Sequence, residues 1–448
     1  MRTDFSPEQL ADPQTAQSNA EIRKCVHCGF CTATCPTYVL LGDERDSPRG
    51  RIELIRAMLE TGGAPSKAAV THIDRCLSCL ACVTACPSGV DYGELIGHAR
   101  AYVEANYRRP WPERLLRWAL PQVLTRPRRL RFGLALGRAV RGLEPWLRRL
   151  RLAPLAALLR LVPPARKAPR GVGVYPAVEA RRGRVILLQG CVEPAMAPQV
   201  REAAIRVLTR TGYEVVLAPG EGCCGAISEH LGRTQEARAL ARRNLAVWAA
   251  AGPIDAILTT AAGCGTTLKA YGQLLGEAGA GVAAQARDIL EFLGEAGLPP
   301  IMNELALSVA YHAPCSLQHG QQIKAEPARL LAAAGFEVRD IPEGHLCCGS
   351  AGVYNILQPE LAGRLRERKA ANIARTGVTV VAAGNVGCMA QIAPAVSAAV
   401  VHPVELLDWA TGGPRPAALD ARKPAAADEP MSGQQKPPVP PGRDERSG

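Results

Sequence analysis

Sixteen cysteines offer more chemistry than any other residue type in this 448-residue chain. Their spacing sorts them into four groups with none left over. Cys25, Cys28, Cys31 and Cys35 are followed by Pro36, and Cys76, Cys79, Cys82 and Cys86 by Pro87. Two gaps of two residues, a gap of three and a proline form the spacing with which bacterial two-cluster ferredoxins hold [4Fe–4S] cubanes. The tight loop wraps three thiolates around three irons, and the proline turns the chain away so that the fourth thiolate serves the other cluster. Crossed ligation of this kind assigns Cys25, Cys28, Cys31 and Cys86 to one [4Fe–4S] cluster. Cys76, Cys79, Cys82 and Cys35 go to the second. Zinc sites rarely space three cysteines this way before a proline. His27 lies inside the first loop, where a hydrogen bond can tune a cluster's potential.

Two adjacent clusters pass single electrons between a donor and an acceptor, yet nothing in the chain supplies two-electron chemistry. No G-x-G-x-x-G follows a strand and opens a helix, and Gly220-Glu221-Gly222 precedes a cysteine pair instead. No catalytic residue and no organic-cofactor site is expected here. A flavin, if the reaction needs one, belongs on a partner chain.

The other eight cysteines repeat. Cys191, Cys223, Cys224 and Cys264 are matched by Cys315, Cys347, Cys348 and Cys388, each 124 positions further on. This is the signature of a duplicated domain. A single Cys, an adjacent Cys-Cys-Gly and a later Gly-Cys can bind a metal or cluster, or form a redox thiol pair. The glycine after each pair permits the backbone conformation that turns both sulfurs inward. His312 and His319 flank Cys315 without counterparts in the first copy, and are read as satisfied or surface histidines.

These cysteines must be positioned by regular elements. Strands are expected at Val185–Gln189, Glu214–Ala218 and Ala256–Thr260, with helices at Val200–Thr211 and His230–Ala250 between them. The second copy follows suit near Leu307–Tyr311, Glu337–Ile341 and Val378–Ala382. Alternating strands and helices imply right-handed crossovers and a parallel sheet, with each cysteine just past a strand at the carboxyl edge where such sheets bind ligands. The fold class is therefore mixed. A mainly α-helical, ferredoxin-like two-cluster domain (1–107) precedes a basic linker (108–182), and two duplicated α/β domains with parallel sheets follow (183–297 and 303–411). The Pro- and Ala-rich tail, 412–448, is expected to be disordered.

Charge and composition narrow the function classes. The net charge of +12 is confined to one segment. Arg108–Arg170 holds 16 Arg and one Lys against Glu113 and Glu144, while the remainder carries 36 basic and 39 acidic residues. A near-neutral protein with one basic stretch is not built to bind nucleic acid over its whole surface. No apolar run is long enough to span a bilayer. The N-terminus has no apolar h-region, so export is not expected, and in an intracellular chain these cysteines are ligands or reactive thiols rather than disulfides.

From about Ile22 to Trp409 the chain resembles the iron–sulfur subunits of glycolate oxidase (glycolate dehydrogenase), with two ferredoxin-type motifs and two cysteine-rich "CCG" domains. The likeness extends to Ser47-Pro48-Arg49-Gly50-Arg51-Ile52, Gln189-Gly190-Cys191-Val192, Cys347-Cys348-Gly349-Ser350-Ala351-Gly352 with Tyr354-Asn355, and Gly384-Asn385-Val386-Gly387-Cys388. The architecture alone is shared with subunits of anaerobic glycerol-3-phosphate dehydrogenase, lactate-utilisation proteins and heterodisulfide reductase. In the last of these the CCG domain ends in Cys-x-x-Cys and holds an unusual cluster. Here the ends read Cys264-Gly-Thr-Thr267 and Cys388-Met-Ala-Gln391, so the fifth ligand is missing, and each site can hold a conventional cluster, a zinc ion or nothing.

The resemblance implies a membrane-associated complex in which an FAD-bearing subunit oxidises glycolate to glyoxylate. This chain would then carry electrons toward a quinone or other acceptor, from the cytoplasmic face of the membrane. A glycerol-3-phosphate or lactate enzyme, or a thiol/disulfide reductase working at the CCG sites, are the rival readings. The Arg-rich stretch from Trp111 to Arg166, with Trp and Leu interleaved, suits an anionic membrane surface, an acidic partner or a plain linker. Its prolines at 121, 127, 145, 154, 163 and 164 are expected to break it into short pieces.

Overall fold

The computed structural model describes residues 1–420 apart from Arg151, Leu161 and 166–168. The N-terminal region is helical around its two cysteine loops. Helices α1 (Pro13–Lys24), α2 (Pro48–Thr61) and α3 (Tyr92–Asn106) each begin at a side-chain cap. Asp12, Ser47 and Asp91 accept from the first-turn amides that would otherwise be orphaned. Ile52, Ile55 and Leu59 of α2 meet Leu95, Ala99 and Val103 of α3, both sets at helical spacing, in a core with Ile22 and Ile73.

The basic segment is divided into short helices, as its prolines suggest. It forms α4 (Trp111–Leu124), α5 (Pro127–Ala139), α6 (Glu144–Arg149) and α7 (Ala153–Arg160). Pro127, Pro145 and Pro154 fall at the first or second position of their helices, where a missing N–H costs nothing and the fixed φ is already helical. Among the described residues of this segment, only Pro121 lies inside a helix. The prolines thus divide the segment into short pieces, as expected, and Pro127, Pro145 and Pro154 each also start the helix that follows.

The two repeats share one strand order. In the first, β1 (Gly173–Tyr175), β2 (Gly183–Leu187), β3 (Tyr213–Leu217), β4 (Ala256–Thr259) and β5 (Ala286–Asp288) line up as β1-β3-β2-β4-β5. In the second, β6 (Ser308–His312), β7 (Glu337–Asp340), β8 (Val380–Ala383) and β9 (Ala399–Val401) line up as β7-β6-β8-β9. All pairs are parallel except β1 with β3, an antiparallel edge addition that the expected parallel sheet lacked. The short strands β5 and β9 were also not legible.

Successive residues of β2 serve opposite faces. Val185 and Leu187 enter a core that runs continuously into the second repeat, and Ile186 and Leu188 enter a separate one. Across the shared core the repeats exchange partners reciprocally. Helix Pro198–Arg210 packs on Pro403–Ala410, and Ile289–Ala296 on Glu326–Ala333, the arrangement of a pseudo-twofold pair. Arg206 and Arg210 both reach the buried Asp408, at 2.5 and 2.7 Å, and lock the two halves.

Chain order continues past Gly412. A 3₁₀ turn, Ala417–Leu419, buries Leu419 in the shared core, so the expected disorder does not begin at 412. The rest of that expected tail, 421–448, lies outside the described residues. Among the described residues no helix is long and apolar enough to cross a membrane.

Candidate functional site

The first cysteine loop is shaped by His27 (φ 56°) and Gly29 (φ 85°), and the second by Ser78 (φ 51°) and Leu80 (φ 60°) at the corresponding positions. Left-handed backbone twice in five residues folds each loop back over its own thiols. The second loop does this without glycine, at an expected cost of about 1–3 kcal/mol per strained residue. Such strain persists only where the surroundings enforce it.

Two recesses result. Cys25, Cys28, Cys31, Cys82 and Cys86 line one. Cys35, Cys76, Cys79 and Cys82 line the other. The first recess therefore receives three thiols from one motif and both Cys82 and Cys86 from the other, and the second receives Cys76, Cys79 and Cys82 with Cys35. No Asp or Glu lines either, and thiols outnumber the one imidazole, His27 of the first recess, so the donors are soft and suit an iron–sulfur cluster rather than a hard cation. Cys28 is exposed, whereas Cys35, Cys76, Cys79 and Cys82 are buried. Burial, reinforced by neighbouring thiols, pushes Cys79 and Cys82 well above the usual thiol range. Thiols packed this closely deprotonate together only around a cation.

Two arginines outside the cysteine motifs support the second recess, Arg51 as a lining residue and Arg100 through its bonds to Cys76 and Ser78. Arg51 is buried and donates to the His72 carbonyl (2.6 Å), Thr37 Oγ1 (2.9 Å) and Asp46 Oδ1 (3.1 Å), with Nη1 3.8 Å from Cys35 Sγ. Arg100 donates to the Cys76 carbonyl at 2.5 Å and to Ser78 Oγ at 2.6 Å. Burial raises the Cys76 thiol, but the two guanidiniums outweigh it and the net direction is downward. Gly50, in the same Ser-Pro-Arg-Gly-Arg run, packs so closely that a Cβ would stand 2.0 Å from the Glu44 carbonyl oxygen. His27, by contrast, is tied through its backbone carbonyl, which accepts from Arg49 at 3.2 Å.

All eight repeat cysteines line a single cavity of about 230 Å³. The pseudo-twofold turns the carboxyl edges of both sheets toward each other, so two separately expected sites face one space. Cys191 and Cys223 Sγ are 3.4 Å apart, and Cys315 and Cys347 Sγ 3.7 Å. Gly225 (φ 101°) and Gly349 (φ 90°) adopt the left-handed conformation expected after each pair, and their amides donate to Cys223 and Cys347 at 3.5 and 3.4 Å. Hydrogen bonds from Cys191 and Cys224 pull Cys223 well below the usual thiol range.

The cavity connects to its surroundings on two sides. Leu77 and Ser78 of the second ferredoxin-type loop line both it and, with Cys79, the second recess. Cys79 shares an apolar cluster with Cys347 and Cys315. Elsewhere the wall is Leu124, Leu130, Leu134 and Leu158 of the basic helices. Glu193 also lines it, its carboxyl pushed up to about 7 by burial while Thr260 donates to it at 2.6 Å.

The flanking histidines differ from expectation in one case. His319 is satisfied, with Nδ1 2.9 Å from Thr84 Oγ1 and Nε2 3.1 Å from the His345 carbonyl. His312 is neither satisfied nor on the surface. It is buried at the end of β6, and neither ring nitrogen has a hydrogen-bond partner.

Comparison with known proteins agrees with this anatomy. The 4Fe-4S dicluster domain family matches residues 24–90, and the cysteine-rich domain family matches twice, at 185–269 and 309–393. The glycolate oxidase iron-sulfur subunit of Escherichia coli (strain K12) is 38% identical over 418 residues, covering 92% of this chain and 99% of that protein. The probable glycolate oxidase iron-sulfur subunit of Bacillus subtilis (strain 168) is 31% identical, with 88% and 93% covered. A fumarate reductase (CoM/CoB) subunit of Methanothermobacter marburgensis is 34% identical over 200 residues, 44% of this chain and 39% of its own. A paired set of thiol recesses, a duplicated cysteine-rich fold and near-complete alignment at this identity lead to one conclusion: the chain is an iron–sulfur protein of the glycolate oxidase iron-sulfur subunit family.

Proposed function

We propose that this chain is the electron-carrying subunit of a glycolate-oxidising complex. Oxidation of glycolate to glyoxylate releases two electrons and two protons. In this reading an FAD-bearing partner subunit performs it, and this chain conveys the electrons to a quinone at the inner face of the cell membrane. Cys25, Cys28, Cys31 and Cys86 are assigned to one [4Fe–4S] cluster, and Cys76, Cys79, Cys82 and Cys35 to the second. Such clusters, when bound, exchange one electron at a time. The eight repeat cysteines are candidate ligands for a further cluster or a zinc ion.

The observation that carries this reading is the order of the thiol sites. They run from exposed Cys28, through two recesses that share Cys82, to Cys79 beside Cys315 and Cys347, and so to the common cavity. The solvent end is available to a donor. Arg51 lines the middle recess and Arg100 donates to the Cys76 carbonyl and Ser78 Oγ beside it. The cavity end is walled by leucines of helices α4, α5 and α7, whose other faces expose Trp111 (71%), Trp118, Phe132 (74%), Leu136 and Leu155 among arginines. Aromatic and aliphatic side chains interleaved with Arg suit the interface of an anionic bilayer, where a lipid-soluble acceptor resides.

The test uses the chain co-purified anaerobically with its native partners. Glycolate is expected to reduce the complex's flavin and then a quinone analogue. A Cys79→Ser complex is expected to keep flavin reduction and lose acceptor reduction, and acceptor reduction surviving in that variant would overturn the reading.

A further inference from the structure

The two cysteine-rich copies are not chemically equivalent. By the 124-residue offset, His312 in the second copy stands where the first has Leu188, each three positions before the leading cysteine of its copy. His312 is 2% exposed, and both its ring nitrogens lack a hydrogen-bond partner. Desolvating an imidazole without giving it a partner is a penalty that needs a reason. A donor atom of His312 and the thiols of Cys348 and Cys388 all lie within 4.8 Å of one another, and all three residues are buried.

We propose that His312, Cys348 and Cys388 form a mononuclear site for a zinc-type divalent ion, present in the second copy and absent from the first. Imidazole nitrogen with two thiolates is a donor set that zinc accepts, with ligand bonds of about 2.0–2.3 Å. That requires donors about 3.5–3.8 Å apart, so from separations within 4.8 Å the three need close by no more than roughly 1 Å on binding. Cys348 and Cys388 line the shared cavity and His312 does not. The imidazole therefore binds from behind, and the fourth position opens toward the cavity, as in zinc sites that keep a place for an exogenous ligand. Asn385 Nδ2, 3.5 Å from Cys388 Sγ, supplies an outer hydrogen bond to one ligand. The first copy has apolar Leu188 at the position equivalent to the imidazole.

This site rests on reading the repeat cysteines as ligands, but it separates from the electron-carrying role because zinc and iron are counted independently. The experiment is metal analysis and zinc-edge X-ray absorption of the full chain, purified anaerobically as wild type, His312→Leu and His312→Cys. About one zinc per chain is expected in the wild type, with one imidazole and two sulfur scatterers. His312→Leu should lose at least nine-tenths of the zinc while iron content and cluster absorbance are unchanged. His312→Cys, which keeps a donor of suitable size, should retain the zinc and lose the imidazole scattering. Absence of zinc in the wild type, or unchanged zinc and scattering in both variants, would overturn the site. Loss of iron instead of zinc in His312→Leu would also overturn it, leaving the second copy as a cluster site.

Discussion

The guanidinium of Arg51 stands 3.8 Å from the Cys35 sulfur, with only 1% of the residue open to solvent. Charge in that position is not screened by water. Asp46, itself fully buried, balances it at 3.1 Å. Replacing Arg51 by Met removes the cation and strips Asp46 of one partner, although Arg75 still reaches the carboxylate at 3.0 Å. A loss of about 3 kcal/mol is expected, the low end for breaking a buried pair. Where the variant folds, the cluster proposed to include Cys35 should become harder to reduce. Thermal unfolding and a redox titration check both, and an unchanged melting temperature with an unchanged potential would sink the assignment.

Gly349 and Gly225 hold the two cysteine pairs in place, but not equally. A Cβ at Gly349 would meet the Ala362 carbonyl oxygen at 2.8 Å, and one at Gly225 the Ala237 carbonyl oxygen at 3.2 Å. Both also have positive φ. Gly349→Ala should cost about 2–4 kcal/mol and Gly225→Ala about 1–2 kcal/mol. Denaturant melts of the two variants read this directly, and the reverse ranking would contradict it.

Ending the chain after Gly412 should be harmful, because Leu419 packs into the shared core beside Val401. Leu419→Ala alone is expected to cost about 2–3 kcal/mol. Ending the chain after Asp420 serves as the control and should leave the melting temperature within a degree or two. Equal melting temperatures for both truncations would show that the packing of 413–420 contributes nothing.

Asp288 caps helix Ile289–Ala296 from a fully buried position, and burial pushes its carboxyl up to about 7. A raised acid pKa means that the folded state binds a proton which the unfolded chain has released. Its contribution is complete below the unfolded value of about 4 and is lost as pH rises through about 7. Asp288→Asn keeps a capping oxygen and removes the titration. Melting temperatures across this range should therefore fall less steeply with pH in the variant, and parallel curves would exclude Asp288 as the titrating group.

The exposed aromatics of the basic helices carry the membrane reading. Replacing Trp111, Trp118 and Phe132 together by Ser should weaken sedimentation with anionic vesicles at least tenfold, with wild-type binding falling as salt rises. Glycolate-driven reduction of a water-soluble dye should be untouched. Vesicle binding that survives the triple substitution would assign this face to a partner subunit instead.

What the sequence disclosed follows from what kind of information each feature needs. Cysteine spacing is local, so the thiol recesses and the duplication were legible, as were strands such as Ala256–Thr259 with uniform apolar runs. The division of the basic segment into short helices was legible from its prolines, but not that Pro127, Pro145 and Pro154 open the helices that follow each break. Leu419 was hidden in a Pro- and Ala-rich stretch whose average composition outweighs one anchoring side chain. β1 has three residues, none of them buried, and leaves no pattern. His312 and Arg51 depend on what folding brings beside them, Cys388 in one case and Cys35 in the other. Nor does any spacing rule reveal that two copies of one site open into a common cavity.

The central claim, that electrons from glycolate reach this chain's clusters, is tested most directly by electron paramagnetic resonance of the anaerobic complex with its native partners. Signals of reduced [4Fe–4S] clusters should appear on adding glycolate and not on adding glycerol-3-phosphate or lactate. Clusters that dithionite reduces but glycolate leaves oxidised would contradict the account.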